Sequence, residues 1–168
     1  MANGNTERRS LIVRILKLAA CVVACQLAGF IGSLFTTPAI PTWYASLAKP
    51  AFTPPNWLFS PAWITLYLLM AVAAFLVWDK GIRKRGVLTA MAAFDVQLVL
   101  NVLWSAAFFG LRSPAAGLAV IALLWIGILI TIILFYRVSR PAALLMLPYI
   151  LWVSFAAILN VSLYSLNT

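Results

Sequence analysis

The 168 residues contain no histidine, three acidic residues and two cysteines. Histidine is the commonest zinc and haem ligand and the side chain that titrates near neutral pH, so zinc chemistry, strong axial ligation of iron and neutral-pH proton carriage lose their usual agent. The sequence offers no nucleophile–base pair and no metal cluster, which argues against hydrolytic and acid–base catalysis. Cys21 and Cys25 lie four apart in one apolar run. That spacing gives a disulfide poor geometry, and both read as small packing residues. Charged residues make up only 9% of the chain against 65% hydrophobic, which excludes an ordinary soluble domain.

What is present is long apolar sequence. A transmembrane helix needs about 20 mostly apolar residues. Five runs qualify, at 11–35, 61–78, 87–109, 114–136 and 142–163, and together they leave no room for a separate soluble domain. The first follows Arg8 and Arg9 as a signal peptide would, but it is too long for an apolar signal core and has no clear cleavage site. The fold class expected is therefore an all-α membrane protein of five transmembrane helices forming a single domain. The net charge of +9 does not point to nucleic acid, because its distribution follows the spans. Arg8, Arg9, Arg14 and Lys17 open the first run, Lys80, Arg83, Lys84 and Arg85 fill the second loop, and Arg137 and Arg140 the fourth; only Lys49 and Arg112 fall on the other side. The positive-inside rule then places the N-terminus in the cytoplasm and favours an inner membrane.

Residues 36–60 separate the first two runs. Six of the nine prolines lie between Pro38 and Pro61, with Trp43, Tyr44, Phe52, Trp57 and Phe59 among them and Lys49 the only charge between Thr36 and Pro61. So many prolines argue against continuous helix, and so many aromatics argue against a solvated linker. The expectation is a loop folded back over the bundle as a cap.

Within the spans, Ala20, Ala24, Ala28 and Gly32, with Cys21, Cys25, Gly29 and Ser33 beside them, form a small-residue stripe suited to close packing, either against a second copy or within the bundle. Trp63, Tyr67, Met70 and Ala74 share a face of the second helix, whose first turn is expected at Pro61. Gln97, Asn101 and Ser105 form an i, i+4, i+8 stripe beside Trp104, and amides at this depth must face the interior, as interhelical glue or as the edge of a pocket. Asp95 lies about 200° around the helix from Gln97 and is kept out of that group. The fourth run carries no polar constellation, and Trp78 and Tyr136 read as interfacial anchors. Pro148 is expected to kink the fifth helix, after which Tyr149, Trp152, Ala156 and Leu159 share a face near Asn160.

These motifs resemble the TspO/MBR family, the tryptophan-rich sensory proteins that include the mitochondrial translocator protein, or peripheral-type benzodiazepine receptor. The resemblance runs through Trp43-Tyr44, Leu47, Lys49-Pro50, Phe52 and Pro54-Pro55, then Trp57, Pro61, Trp63 and Tyr67. It continues through Gln97, Asn101 and Trp104-Ser105 with Phe108-Phe109-Gly110, and ends in Leu147-Pro148-Tyr149, Trp152, Phe155-Ala156 and Leu159-Asn160. It implies a five-helix bundle, commonly dimeric, whose first loop lids a pocket. The ligands implied are protoporphyrin IX and haem, sterols, and isoquinoline carboxamide or benzodiazepine drugs, with no cofactor required. By motif position the lid would use Trp43 and Lys49 to Pro55, including Pro50 and Pro54, and the pocket Trp57, Trp63, Tyr67, Gln97, Asn101, Trp104, Tyr149, Trp152, Phe155 and Ala156. No residue stands out as catalytic except Trp63 and Trp152, which match a pair implicated in light-dependent porphyrin degradation by some bacterial members. The family's cholesterol motif is incomplete here: Leu163 and Tyr164 are followed by Ser165, Leu166, Asn167 and Thr168, with no base. Some members of the family are placed in outer membranes. The expected output is sensing or transport of a porphyrin-like ligand; photo-oxidation and channel or transporter activity are the alternatives.

Overall fold

The structure, a computed structural model, describes residues 2–168, with side chains from Ser10 onward; the side chains of Arg8 and Arg9 lie outside that range. It is all-helical, with no strand among the described residues: α1 (Ala2–Ala39), α2 (Asn56–Trp78), α3 (Val87–Ser105), α4 (Pro114–Val138), α5 (Arg140–Leu145) and α6 (Leu147–Asn167). Five helical stretches are long and apolar enough to cross a membrane, the fifth being α5 and α6 taken together. The chain is thus a multi-pass integral membrane protein, and its outer face carries the exposed leucines, isoleucines and valines that lipid requires.

Several boundaries depart from the expected ones, each for a local reason. The first helix does not stop at Phe35 but runs through Pro38 to Ala39 and then widens into a π-type turn over Ile40–Tyr44. Proline removes a donor from the ladder, and beyond it the Thr42 hydroxyl donates back to the Pro38 carbonyl at 2.8 Å, within the widened turn. The second helix starts at Asn56, not Pro61, and Pro61 sits inside it, its carbonyl accepting from Thr65 Oγ1 at 2.9 Å. The irregular connection expected over residues 36–60 therefore shrinks to residues 47–55. At the end of α3 a second π-type turn, Ala106–Gly110, closes with Leu111 N–H donating to the Ala106 carbonyl at 2.8 Å, an i to i+5 bond. The fifth span begins at Arg140, two residues earlier than expected, and breaks at Met146, just before Pro148.

α1 packs against α2 and α3, α3 against α4, and α4 against α6. Cys21, Cys25, Ala28 and Gly32 of the small-residue stripe are buried in these contacts, whereas Ala20 and Ala24 are exposed. A Cβ on Gly29 would lie 2.6 Å from Tyr67 Cε2, so only glycine lets the ring approach. Cys25 is fully buried and Cys21 nearly so, both as free thiols. At the end of the bundle where α2 finishes, Asp79 pairs with Arg14 Nε at 3.0 Å and Lys17 Nζ at 3.8 Å.

Candidate functional site: an aromatic cavity with an amide floor

α1, α2, α3 and α6 line a partly open cavity of about 340 Å³. Its floor is a hydrogen-bonded chain across three helices. The Tyr67 hydroxyl donates to Asn101 Oδ1, and Asn101 Nδ2 donates to the Tyr149 hydroxyl at 2.8 Å. All three residues are buried, so each bond replaces water that the interior cannot supply. Trp63 stands over this chain, its ring 5.7 Å from Tyr67 and 6.3 Å from both Tyr149 and Trp104. Trp104 stacks on Phe108 at 5.8 Å, continuing the wall toward the second π-type turn. The indole N–H of Trp104 points to Asn160 Oδ1 at 3.4 Å, and Asn160 Nδ2 donates to the Pro114 carbonyl at 2.9 Å, tying α6 to the start of α4. That tie needs a glycine opposite. A Cβ on Gly117 would sit 2.7 Å from both Asn160 Oδ1 and Phe108 Cδ2.

The roof is made by the first π-type turn and the start of α2. Ile40, Tyr44, Phe59 and Ser60 face the cavity. Tyr44 is 3% exposed, and its hydroxyl has no hydrogen-bond partner among the described residues. A buried phenol without a partner costs roughly 1–3 kcal/mol, so it is primed for a ligand or water in the cavity.

Of the sequence-derived candidates, Trp63, Tyr67, Asn101, Trp104 and Ala156 line the cavity. Tyr149 lies directly behind it, bonded to Asn101, and Trp43 supports the wall from outside, 5.4 Å from Phe108. Trp152 and Phe155 do not line it. Trp152 packs against Phe59 at 6.2 Å, one ring away from the interior, and Phe155 meets Phe52 at 6.3 Å. Lys49, Pro50, Pro54 and Pro55 do not touch the cavity either. Lys49 Nζ bonds the carbonyls of Ala45 and Leu47 at 3.1 and 3.2 Å and lies 5.0 Å from the Tyr44 ring, supporting the roof from outside. Trp57 is 71% exposed at the first turn of α2, where its ring meets the interface instead of a pocket. Gln97 is fully buried, but it faces Gly127 of α4, and neither its amide oxygen nor its nitrogen has a partner among the described residues. Asp95 is exposed and lies away from the amides.

α1 contributes residues that the sequence motifs do not mark. Gln26, Phe30 and Thr37 line the cavity together with Ser33 of the small-residue stripe, and Gln26 Nε2 reaches the Ile64 carbonyl of α2 at 3.4 Å. Their i, i+4, i+7, i+11 spacing is a readable signal, hidden by the more regular stripe of small residues beside it.

The lining offers flat aromatic faces together with hydroxyl and amide groups; histidine, methionine and cysteine are absent from it among the described residues. Such a wall suits a flat apolar molecule with polar edges.

Fold and cavity define a five-span membrane protein with a partly open aromatic pocket. The chain belongs to the TspO/MBR family, whose model matches residues 21–165. It is 47% identical over 154 residues to the tryptophan-rich protein TspO of Chlorobaculum tepidum, covering 92% of this chain and 98% of that one. It is 41% identical over 149 residues to protein CrtK of Rhodobacter capsulatus, covering 89% and 91%, and 37% identical over 146 residues to the translocator protein of Bos taurus, covering 84% and 85%.

Proposed function

We propose that this protein is a membrane receptor for tetrapyrroles such as protoporphyrin IX and haem, with a sensing or transport output. The observation that carries the reading is the partnerless Tyr44 hydroxyl in the roof of a cavity walled by Trp63, Trp104 and Phe108. The macrocycle would stack on these rings, and its carboxylate arms would take donors at the roof and mouth: the Tyr44 hydroxyl, Gln26 and the indole of Trp63. Iron is not needed for such binding, and among the described residues the phenols of Tyr44 and Tyr67 are the only aromatic oxygens in the lining that an iron centre would meet. Metal-free protoporphyrin and haem would therefore bind comparably, as ligands and not as resident cofactors. Sterols and isoquinoline carboxamide drugs are further candidates for the same cavity. The basic end, with Arg14, Lys17 and the loop from Lys80 to Arg85, would face the cytoplasm across a bacterial inner membrane, and two copies would associate as a homodimer.

The test is quenching of tryptophan fluorescence by protoporphyrin IX in the dark, on wild type, Trp63→Phe, Asn101→Ala and Trp152→Phe. Saturable quenching is expected, weakened about tenfold or more by the first two substitutions and less by Trp152→Phe, whose ring is one layer back. Absence of saturable quenching in wild type would overturn the reading. Illumination of the same samples then separates binding from turnover. Trp63 and Trp104 border the cavity and are the indoles a photo-oxidation would reach, with Trp152 one ring back.

A further inference from the structure

The side chain of Asn167, at the last turn of α6, uses its amide on a single residue of the connection between the first two helices. Its Oδ1 accepts from the Ala48 N–H at 2.9 Å, and its Nδ2 donates to the Ala48 carbonyl at 3.0 Å. The second hydrogen of Nδ2 goes to the Leu163 carbonyl at 2.8 Å, one turn back on the same helix. That third bond anchors the amide to its own helix and fixes it in the orientation Ala48 needs. Ala48 is held at both backbone polar groups, as a residue in a sheet would be. It precedes Lys49, whose ammonium braces Tyr44 in the roof. A line of contacts thus runs from the last turn of the chain through Ala48 and Lys49 to the Tyr44 ring in the roof.

We propose that Asn167 is the latch of the roof: a positioning residue that holds residues 47–55 down and so sets how fast ligand exchanges with the cavity. The inference rests on the receptor reading above for its ligand, although the latch itself does not need one. Two neutral hydrogen bonds at a partly hydrated surface correspond to roughly a three- to tenfold shift in a local opening equilibrium. Because an open roof admits ligand as well as releasing it, the latch changes rates more than affinity.

The experiment compares full-length wild type, Asn167→Ala and Asn167→Asp in detergent micelles, with helicity by circular dichroism as a folding control. Hydrogen exchange of the amides in residues 47–53 is measured without ligand, and stopped-flow quenching by protoporphyrin IX gives association and dissociation rates. In Asn167→Ala the amide exchange and both rates are expected to rise roughly three- to tenfold, with affinity changed by less than about twofold. Asn167→Asp keeps the acceptor for the Ala48 N–H but sets a carboxylate oxygen against the Ala48 and Leu163 carbonyls, so exchange and rates are expected to rise at least as far as in Asn167→Ala. Unchanged amide exchange in a folded Asn167→Ala overturns the latch, as does a loss of affinity with unchanged association. If wild type binds no protoporphyrin, the receptor reading fails while the amide exchange still decides the latch.

Discussion

Asn101→Ala is the substitution whose consequence is best defined by the cavity floor. Asn101 joins two tyrosines on different helices, accepting from Tyr67 and donating to Tyr149. Removing it strands both hydroxyls, but not equally. Tyr67 borders the cavity, where water or ligand can reach it, whereas Tyr149 is 0% exposed. A stranded buried hydroxyl costs about 1–3 kcal/mol, while interhelical hydrogen bonds in membranes average nearer 0.6 kcal/mol when both partners are free to find others. The expected loss is about 2–4 kcal/mol, dominated by Tyr149. Tyr67→Phe and Tyr149→Phe in wild type should each cost about 1 kcal/mol. The sign of a second step is the sharper test. In the Asn101→Ala background, Tyr149→Phe removes a stranded group and should restore about 1 kcal/mol instead of costing it. Unfolding by sodium dodecyl sulfate in mixed micelles, followed by tryptophan fluorescence, measures every variant. If Tyr149→Phe costs the same in both backgrounds, the three residues do not act as a unit and the reasoning fails.

Other outcomes follow from the same contacts. Tyr44→Phe removes a hydroxyl that has no partner, so stability should hold or rise by up to about 1 kcal/mol while protoporphyrin affinity falls roughly tenfold; a destabilised variant would mean that the phenol is bonded in the folded protein. Gly117→Ala places a carbon where Asn160 and Phe108 already sit and should cost about 1–3 kcal/mol, read as a lowered thermal midpoint. Asp79→Asn breaks two partly exposed ion pairs and should cost no more than about 1 kcal/mol at low salt, with the difference shrinking as salt is added.

The spans were legible because lipid imposes one composition on everything that crosses it, and soluble proteins seldom carry apolar runs of about 20 residues. Asn101 was legible for a related reason: an amide in hydrocarbon has to find partners, and the aromatic stripes named where they stand. Gln97 shows the limit of that argument. It shares a face with Asn101 on the helix, but one turn lower the neighbour has changed from the tyrosines to Gly127 of α4. Angular position does not record which helix lies opposite at each depth. The prolines misled in the other direction. Pro38 and Pro41 read as helix breakers and Pro61 as a helix start, yet the first helix runs through Pro38 into a π-type turn and the second begins at Asn56 with Pro61 inside it. The result is a shorter connection than expected and a roof made largely of helix. The motif resemblance implies a lid over Lys49 to Pro55, and what motif does not convey is that these residues stay off the cavity lining, with Lys49 set against the Tyr44 ring from outside.

The wider turn over Ala106–Gly110 has a consequence for how such pockets diversify. A turn that takes in an extra residue sweeps a smaller angle per residue than an ordinary helical turn, so two neighbours can point the same way. Here Phe108 and Phe109 both reach the cavity, their rings 4.8 Å apart. Deleting one residue from this turn would restore the regular helical sweep and swing one of the two rings out toward lipid. A change of a single residue in chain length, with no substitution at all, would then enlarge the chamber by about the bulk of a phenyl group, which makes this turn a place where descendants of one sequence could alter ligand size by insertion and deletion.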